Sequence, residues 1–169
     1  MDQGIGCLVI GYGNTLRSDD AAGQQIADRV AAWNLERVHS LAVHQLTPEL
    51  AEPLAMAQMA IFIDVYAVQE KTASEKTASV QVIELSPTLE SNYTTRIGHS
   101  ADPRSLLMLA QQVYGTCPPS WWVLVPAINF EFGEALSSLT QQGVVVALEQ
   151  VRQLIQDQLS ITENVADSV

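Results

Sequence analysis

Cys7-Leu8-Val9-Ile10-Gly11-Tyr12-Gly13-Asn14-Thr15-Leu16-Arg17-Ser18-Asp19-Asp20-Ala21-Ala22-Gly23 opens on an unbroken apolar run and closes where a helical pattern begins. Short runs of that kind suit strands buried on both faces of a parallel sheet. From 20 to 33, Ala22, Ile26, Val30 and Trp33 recur at helical spacing, and Asn34 is a stop signal. The turn between strand and helix carries two adjacent carboxylates, Asp19 and Asp20. Turns in that position lie just beyond the carboxyl ends of the strands, where open α/β sheets build their sites.

The alternation of strand and helix continues downstream. A second strand is expected over 38–43, ending near His44-Gln45-Leu46. Thr47-Pro48-Glu49 then reads as N-cap, first helical position and first-turn acid of a short helix burying Leu50 and Leu54. Ala60-Ile61-Phe62-Ile63 is a third strand, with Asp64 as its end. Residues 70–79 repeat Glu-Lys-Thr-Ala-Ser, a polar stretch without periodicity that reads as a surface loop and is too short for a repeat fold. Residues 80–85 read as an edge strand, because Gln81 and Glu84 interrupt the apolar run, and 86–100 as a loop holding His99. Asp102-Pro103 repeats the cap-plus-proline signal before a helix with Leu106, Leu107, Ala110 and Val113 on its apolar face. A strand over 121–125 closes at Pro126, and a last helix over 140–158 carries Val144, Leu148, Val151 and Ile155. The expectation is a three-layer α/β fold: a mostly parallel twisted sheet of about five strands with helices on both faces. One domain spans 1–160, and 161–169 reads as a polar, disordered tail.

At 169 residues and 47% hydrophobic composition, the chain has enough apolar material for one substantial core. A net charge of −11 with eight Lys and Arg argues against nucleic acid or an anionic membrane as partner. No apolar run reaches membrane-spanning length, and strand character begins at Ile5 with no leader before it, so a cytoplasmic location is expected. Cys7, inside a strand, reads as an inert buried thiol; Cys117, before two prolines, has no assigned role.

Gly11-Tyr12-Gly13-Asn14-Thr15-Leu16 begins like a dinucleotide fingerprint, but Leu16 stands at the last glycine. The acid expected about 20 residues further on is missing as well. Gly11 and Gly13 are read instead as allowing a sharp turn, with Asn14 holding it by side-chain hydrogen bonds. Asp19 and Asp20 taken alone read as a helix cap and a dipole partner. Asp64 differs, because a carboxylate after Ile-Phe-Ile is desolvated and needs a donor, a cation or a proton. Asp20, Asp64 and His99 each follow a separate strand, so a parallel sheet would bring them to one edge. One nitrogen and two oxygens suit a borderline divalent ion such as nickel or zinc, with coordination positions left open. His39 and His44 are the competing imidazoles; His39 lies mid-strand and His44 near the same edge.

With these positions fixed, the chain resembles the hydrogenase maturation endopeptidases, which trim the C-terminus of the large subunit of nickel–iron hydrogenases. The resemblance rests on Gly11-x-Gly13-Asn14 leading to Asp19-Asp20, on Asp64, on His99 before Leu106-Leu107, and on Gly133-Glu-Ala-Leu136-Ser137. It implies that Asp20, Asp64 and His99 contact a metal and that Asp20 and Asp64 serve the hydrolysis. The nickel would belong to the immature large subunit, with no tightly held metal of the protease's own. Gly13, Asn14, Asp19, His44, Gln45, Leu46 and Tyr66 would recognise the substrate. The His44-Gln45-Leu46 version of its turn is similar to members serving bidirectional, NAD-linked hydrogenases. The chain departs from the family at Ala21, where a glycine is usual, and at Val65-Tyr66, where many relatives have a small residue. Two rivals stand beside this expectation. One is a non-enzymatic nickel-binding maturation chaperone. The other is a peptidyl-tRNA hydrolase-like enzyme, which shares Gly-x-Gly-Asn but whose following Pro-Gly and nearby His-Asn are missing here.

Overall fold

The computed structural model describes residues 4–68, 78–87 and 102–166. Its strands are β1 (Cys7–Tyr12), β2 (Val38–Val43), β3 (Met59–Ala67), β4 (Gln81–Leu85) and β5 (Ser120–Ala127). They form one sheet in the order β2-β1-β3-β5-β4. All neighbours run parallel except β4, which lies antiparallel on β5; its place at the edge is the one its interrupted apolar pattern led one to expect. The helices are α1 (Ala22–Ala31), α2 (Ala51–Met56), α3 (Pro103–Tyr114) and α4 (Ser138–Ala166).

Side chains alternate across a strand, so each buried strand feeds two cores. Val9, Ile61, Ile63 and Val123 pack with Ile26 and Val30 of α1 and Val144 and Val151 of α4. Leu8, Ile10, Phe62 and Leu124 pack with Leu54 of α2 and Leu106 and Leu107 of α3. The expected three-layer architecture follows. Both sides of the central strands exclude water, and each fully buried aliphatic side chain contributes about 1.5–3 kcal/mol. Burial also pushes the Cys7 thiol up to about 12, in keeping with an inert cysteine. Helix α3 begins and ends on its sequence signals: the Asp102 carboxylate accepts from the Arg104 N–H at 2.9 Å, and Gly115 stops the helix at φ 76°.

Several boundaries differ from the sequence reading. Asp64 does not end β3: it pairs with Leu124, and the strand runs on to Ala67. Strand β5 passes through Pro126 to Ala127. That is possible because the β4 ladder stops at the Gln81–Leu124 pair, so the missing proline N–H falls where no partner strand needs it. Asp19 and Asp20 lie in a 3₁₀ turn, Ser18–Ala21, and α1 starts only at Ala22. Thr47 makes no side-chain cap, and Pro48–Leu50 form a 3₁₀ turn ahead of α2. Helix α4 runs through Ala166, so 161–166 are helical where a disordered tail was expected; 167–169 lie outside the described residues. The repeat at 70–77 and the loop at 88–101 also lie outside them. Among the described residues no helix is long and apolar enough to cross a membrane.

From β1 the chain passes to β2 on one side, then returns across β1 to β3 on the other. That reversal opens a crevice beyond the carboxyl ends of β1 and β3. Two glycines let α1 lie close on the sheet there. A Cβ on Gly11 would run into the Gly23 carbonyl, and one on Gly23 would meet the carbonyls of Tyr12 and Ile63, the latter at 2.7 Å. Gly11 therefore serves close packing of α1 on β1 rather than a turn. Gly13, at φ 141°, is the turn glycine, and a Cβ there would strike the Asp20 carbonyl.

Candidate functional site

Tyr12 and Asp64 follow directly on the paired residues Gly11 and Ile63, on neighbouring strands at the mouth of the crevice. Both belong to the face covered by α2 and α3, because Leu8, Ile10, Tyr12 and Ala60, Phe62 alternate onto it. Asp64 is 3% exposed. Its Oδ1 accepts the Val65 N–H at 2.7 Å, while Oδ2 has no hydrogen-bond partner. Burial pushes this carboxyl up to about 7; the bond from Val65 and the Tyr12 phenol pull the other way, and the Asp20 charge adds to the rise. The neighbouring Tyr12 hydroxyl and Trp122 indole N–H are likewise buried and unpartnered. The phenol is held protonated well above its ordinary value, first by burial and then by the charge of Asp64.

Asp20 reaches the same mouth from the turn after β1. Its Oδ2 accepts the Asn14 N–H at 2.7 Å, and Asn14 in turn closes its loop by accepting the Leu16 N–H at 2.9 Å, as expected of that asparagine. Gln24 clamps the Gly13 carbonyl at 2.6 Å. Asp20 is half-buried.

Asp19 turns the opposite way and is fully buried. Its carboxylate accepts from the Ile128 and Asn129 N–H groups at 2.9 Å each, from the Ser137 N–H at 2.6 Å and from the Ser137 hydroxyl at 2.8 Å. Ser18 N–H and Oγ bind the carbonyls of Gly133 and Glu131, and Gly133 N–H returns to Leu16. The Gly133–Ser137 segment is thus the strap that holds the acid turn. Ser18, at φ 46°, sits in the left-handed region, a conformation these bonds impose. Burial works to raise the Asp19 carboxyl, but the N–H groups of Ser137, Ile128 and Asn129 and the Ser137 hydroxyl outweigh it, and it titrates below the ordinary value. A lowered native pKa contributes stability in full above the unfolded value, about pH 4, and that contribution is lost as the pH falls through the native value. Asp19→Asn is therefore expected to lower stability at neutral pH by about 2 kcal/mol and to flatten the acid limb of a plot of Tm against pH. Thermal melts from neutral to acid pH check this; parallel curves for the two proteins would contradict it.

The other expected site residues distribute unevenly. His44 and Gln45 are exposed just after β2, whereas Leu46 is buried in the core with Leu54. Tyr66 donates its hydroxyl to the Ser79 carbonyl at 2.8 Å. His39 is exposed in mid-strand. His99 lies outside the described residues, and among those described no three His, Cys, Asp or Glu side chains cluster closely enough to hold a metal. Asp20 lies near enough for its charge to act on Asp64, and the orphaned Oδ2 is the kind of ligand a cation would take. Sequence reasoning overlooked Tyr12, Trp122 and Arg104. The Arg104 guanidinium lies 5.7 Å over the Trp122 ring and pairs with Asp102 at 3.3 Å. The missed signal was strand alternation, which puts a phenol on the Asp64 face where its O–H needs a partner.

No family model matches the chain, and no curated protein matches its sequence. Solved structures do match the fold. The hydrogenase maturating endopeptidase HybD from E. coli has a TM-score of 0.67 and 21% identity, over 90% of this chain and 93% of that one. The [NiFe] hydrogenase maturation protease HycI from Thermococcus kodakarensis has a TM-score of 0.66 and 18% identity, over 92% and 95%. A hydrogenase 2 maturation peptidase from a Thaumarchaeota archaeon has a TM-score of 0.64 and 19% identity, over 89% and 98%. At these identities the likeness is one of fold, along nearly the whole chain.

Proposed function

We propose that this chain is a cytoplasmic endopeptidase that removes the C-terminal extension of a nickel-loaded hydrogenase large-subunit precursor. The observation that carries the reading is a buried carboxylate with one unpaired oxygen, Asp64, beside Asp20 at the reversal point of the sheet. Proteins of this fold that carry the same chemistry in their names support it. Asp20, Asp64 and His99 grip the nickel that the client brings, and the chain keeps none when the client leaves. In the ion-free protein the Asp64 carboxyl holds a proton to about pH 7, so nickel and proton compete for the same oxygen. Hydrolysis adds a water oxygen to the scissile carbonyl carbon, breaks the carbon–nitrogen bond and delivers a proton to the departing amine; a carboxylate in this site relays that proton.

The rim suits a protein client. Phe132 is 82% exposed and Leu16 52%, on the two loops joined by Ser18 and Gly133, and Arg17 lies over the Phe132 ring at 5.9 Å. The exposed His44 and Gln45, with the buried Leu46 behind them, select a client of the bidirectional, NAD-linked type.

Intact-mass measurement of precursor incubated with the protein tests the reading. Nickel-loaded precursor is expected to lose its C-terminal extension and nickel-free precursor to keep it. Binding with no loss of mass would instead make the chain a maturation chaperone. Cleavage of both forms alike would refute recognition through nickel.

A further inference from the structure

Three buried polar atoms without partners meet on one face of the sheet: Trp122 Nε1, Tyr12 Oη and Asp64 Oδ2. An unpartnered buried donor or acceptor is costly, and phenylalanine would fill the Tyr12 ring's place without that cost. The three are chemically ordered: a group that only donates, one that donates and accepts, and one that only accepts when ionised. Tyr12 neighbours both of the others closely enough to interact with each. Oδ1 is already fixed by the Val65 N–H at 2.7 Å, so the rotation of the carboxylate is controlled from one side only.

We propose that Trp122 and Tyr12 are positioning residues for Asp64, linked in a hydrogen-bond chain from the indole N–H to the phenol oxygen and from the phenol O–H to Oδ2. The chain fixes the second oxygen while leaving one of its lone pairs for the client's cation. Buried chains of this kind strengthen one another, and partners behind a metal ligand tune its affinity. The inference rests on the proposed role of Asp64, so its test separates the contact from the activity.

The contact is read from a double-mutant cycle in chemical denaturation, with Tyr12→Phe, Asp64→Asn and both together, above pH 7. Coupling of about fivefold or more in the unfolding constant is expected; additive effects would overturn the chain. The function is read from cleavage of nickel-loaded precursor by Tyr12→Phe and Trp122→Phe. A fall in kcat of about tenfold or more with KM unchanged is expected, since a residue that only supports folding would not split the two. Wild-type kinetics in Tyr12→Phe would overturn the positioning role. Should Tyr12→Phe fail to fold, Trp122→Phe alone decides in the same way. Coupling in the cycle with no cleavage by the wild type would sustain the chain and sink the protease reading.

Discussion

Asp64→Asn is expected to lower the rate of precursor cleavage by about 10²–10⁴-fold while making the ion-free protein more stable at alkaline pH. The two effects share one cause. The native carboxyl binds its proton up to about pH 7, whereas the unfolded chain releases it near the ordinary Asp value, about pH 4. A raised native pKa contributes stability that is present in full below the unfolded value and is lost as the pH rises through the native one. Above about pH 7 the fold must hold a desolvated anion. The amide carries no charge and still accepts from Val65, so removing the anion is expected to return on the order of 3 kcal/mol, or roughly 5–10 °C in Tm. Below about pH 4 that gain should vanish, because native and unfolded chains both hold the proton there. Melts at both pH values, beside intact-mass assays, measure it. Unimpaired cleavage would remove Asp64 from the site. An unchanged Tm at high pH would mean that the carboxylate is better solvated than its 3% exposure implies.

Gly23→Ala is expected to be strongly destabilising. A single methyl there has two carbonyl oxygens in its way, those of Tyr12 and Ile63, and both belong to the ladder joining β1 to its neighbours. Backbone atoms at the centre of a sheet cannot step aside as a side chain does. Helix α1 must instead lift from the sheet, breaking contact between Ile26, Val30 and the β3 residues Ile61 and Ile63. Overpacking of that kind costs about 3 kcal/mol or more, against the slight gain alanine normally brings to a helix. Denaturant titration should show the loss. An equal or higher midpoint would mean that α1 is free to shift, and that the glycine contact does not hold the acid turn in place.

Much of this architecture is legible locally. The apolar runs of β1 and β3, the helical spacing of Ile26 and Val30 and the Asp102-Pro103 signal all act within a few residues, so pattern and structure agree. Strand order does not act locally: it depends on the chain crossing back over β1 after β2, which no single segment records. Asp64 shows the converse. A charged residue after an apolar run reads as a strand end, yet pairing with β5 carries the ladder past it. Nor is the environment that separates Asp19 from Asp20 a local one. Two identical side chains one position apart face opposite ways, and what divides them is Ser137, which is 118 residues distant. Tyr12 and Trp122 were concealed by their bulk, since aromatic residues in buried strands ordinarily need no further explanation.

Asp19 and its strap also have a dynamic consequence. Loops beside binding sites commonly open on their own, at far less than the free energy of global unfolding. Here the acid turn and the segment from Ile128 to Ser137 are riveted through one buried anion, so neither can fray without exposing the other's amides. Solvent exchange at the two segments is then expected as a single cooperative event, and the two loops stand as one preformed plate rather than a closing jaw.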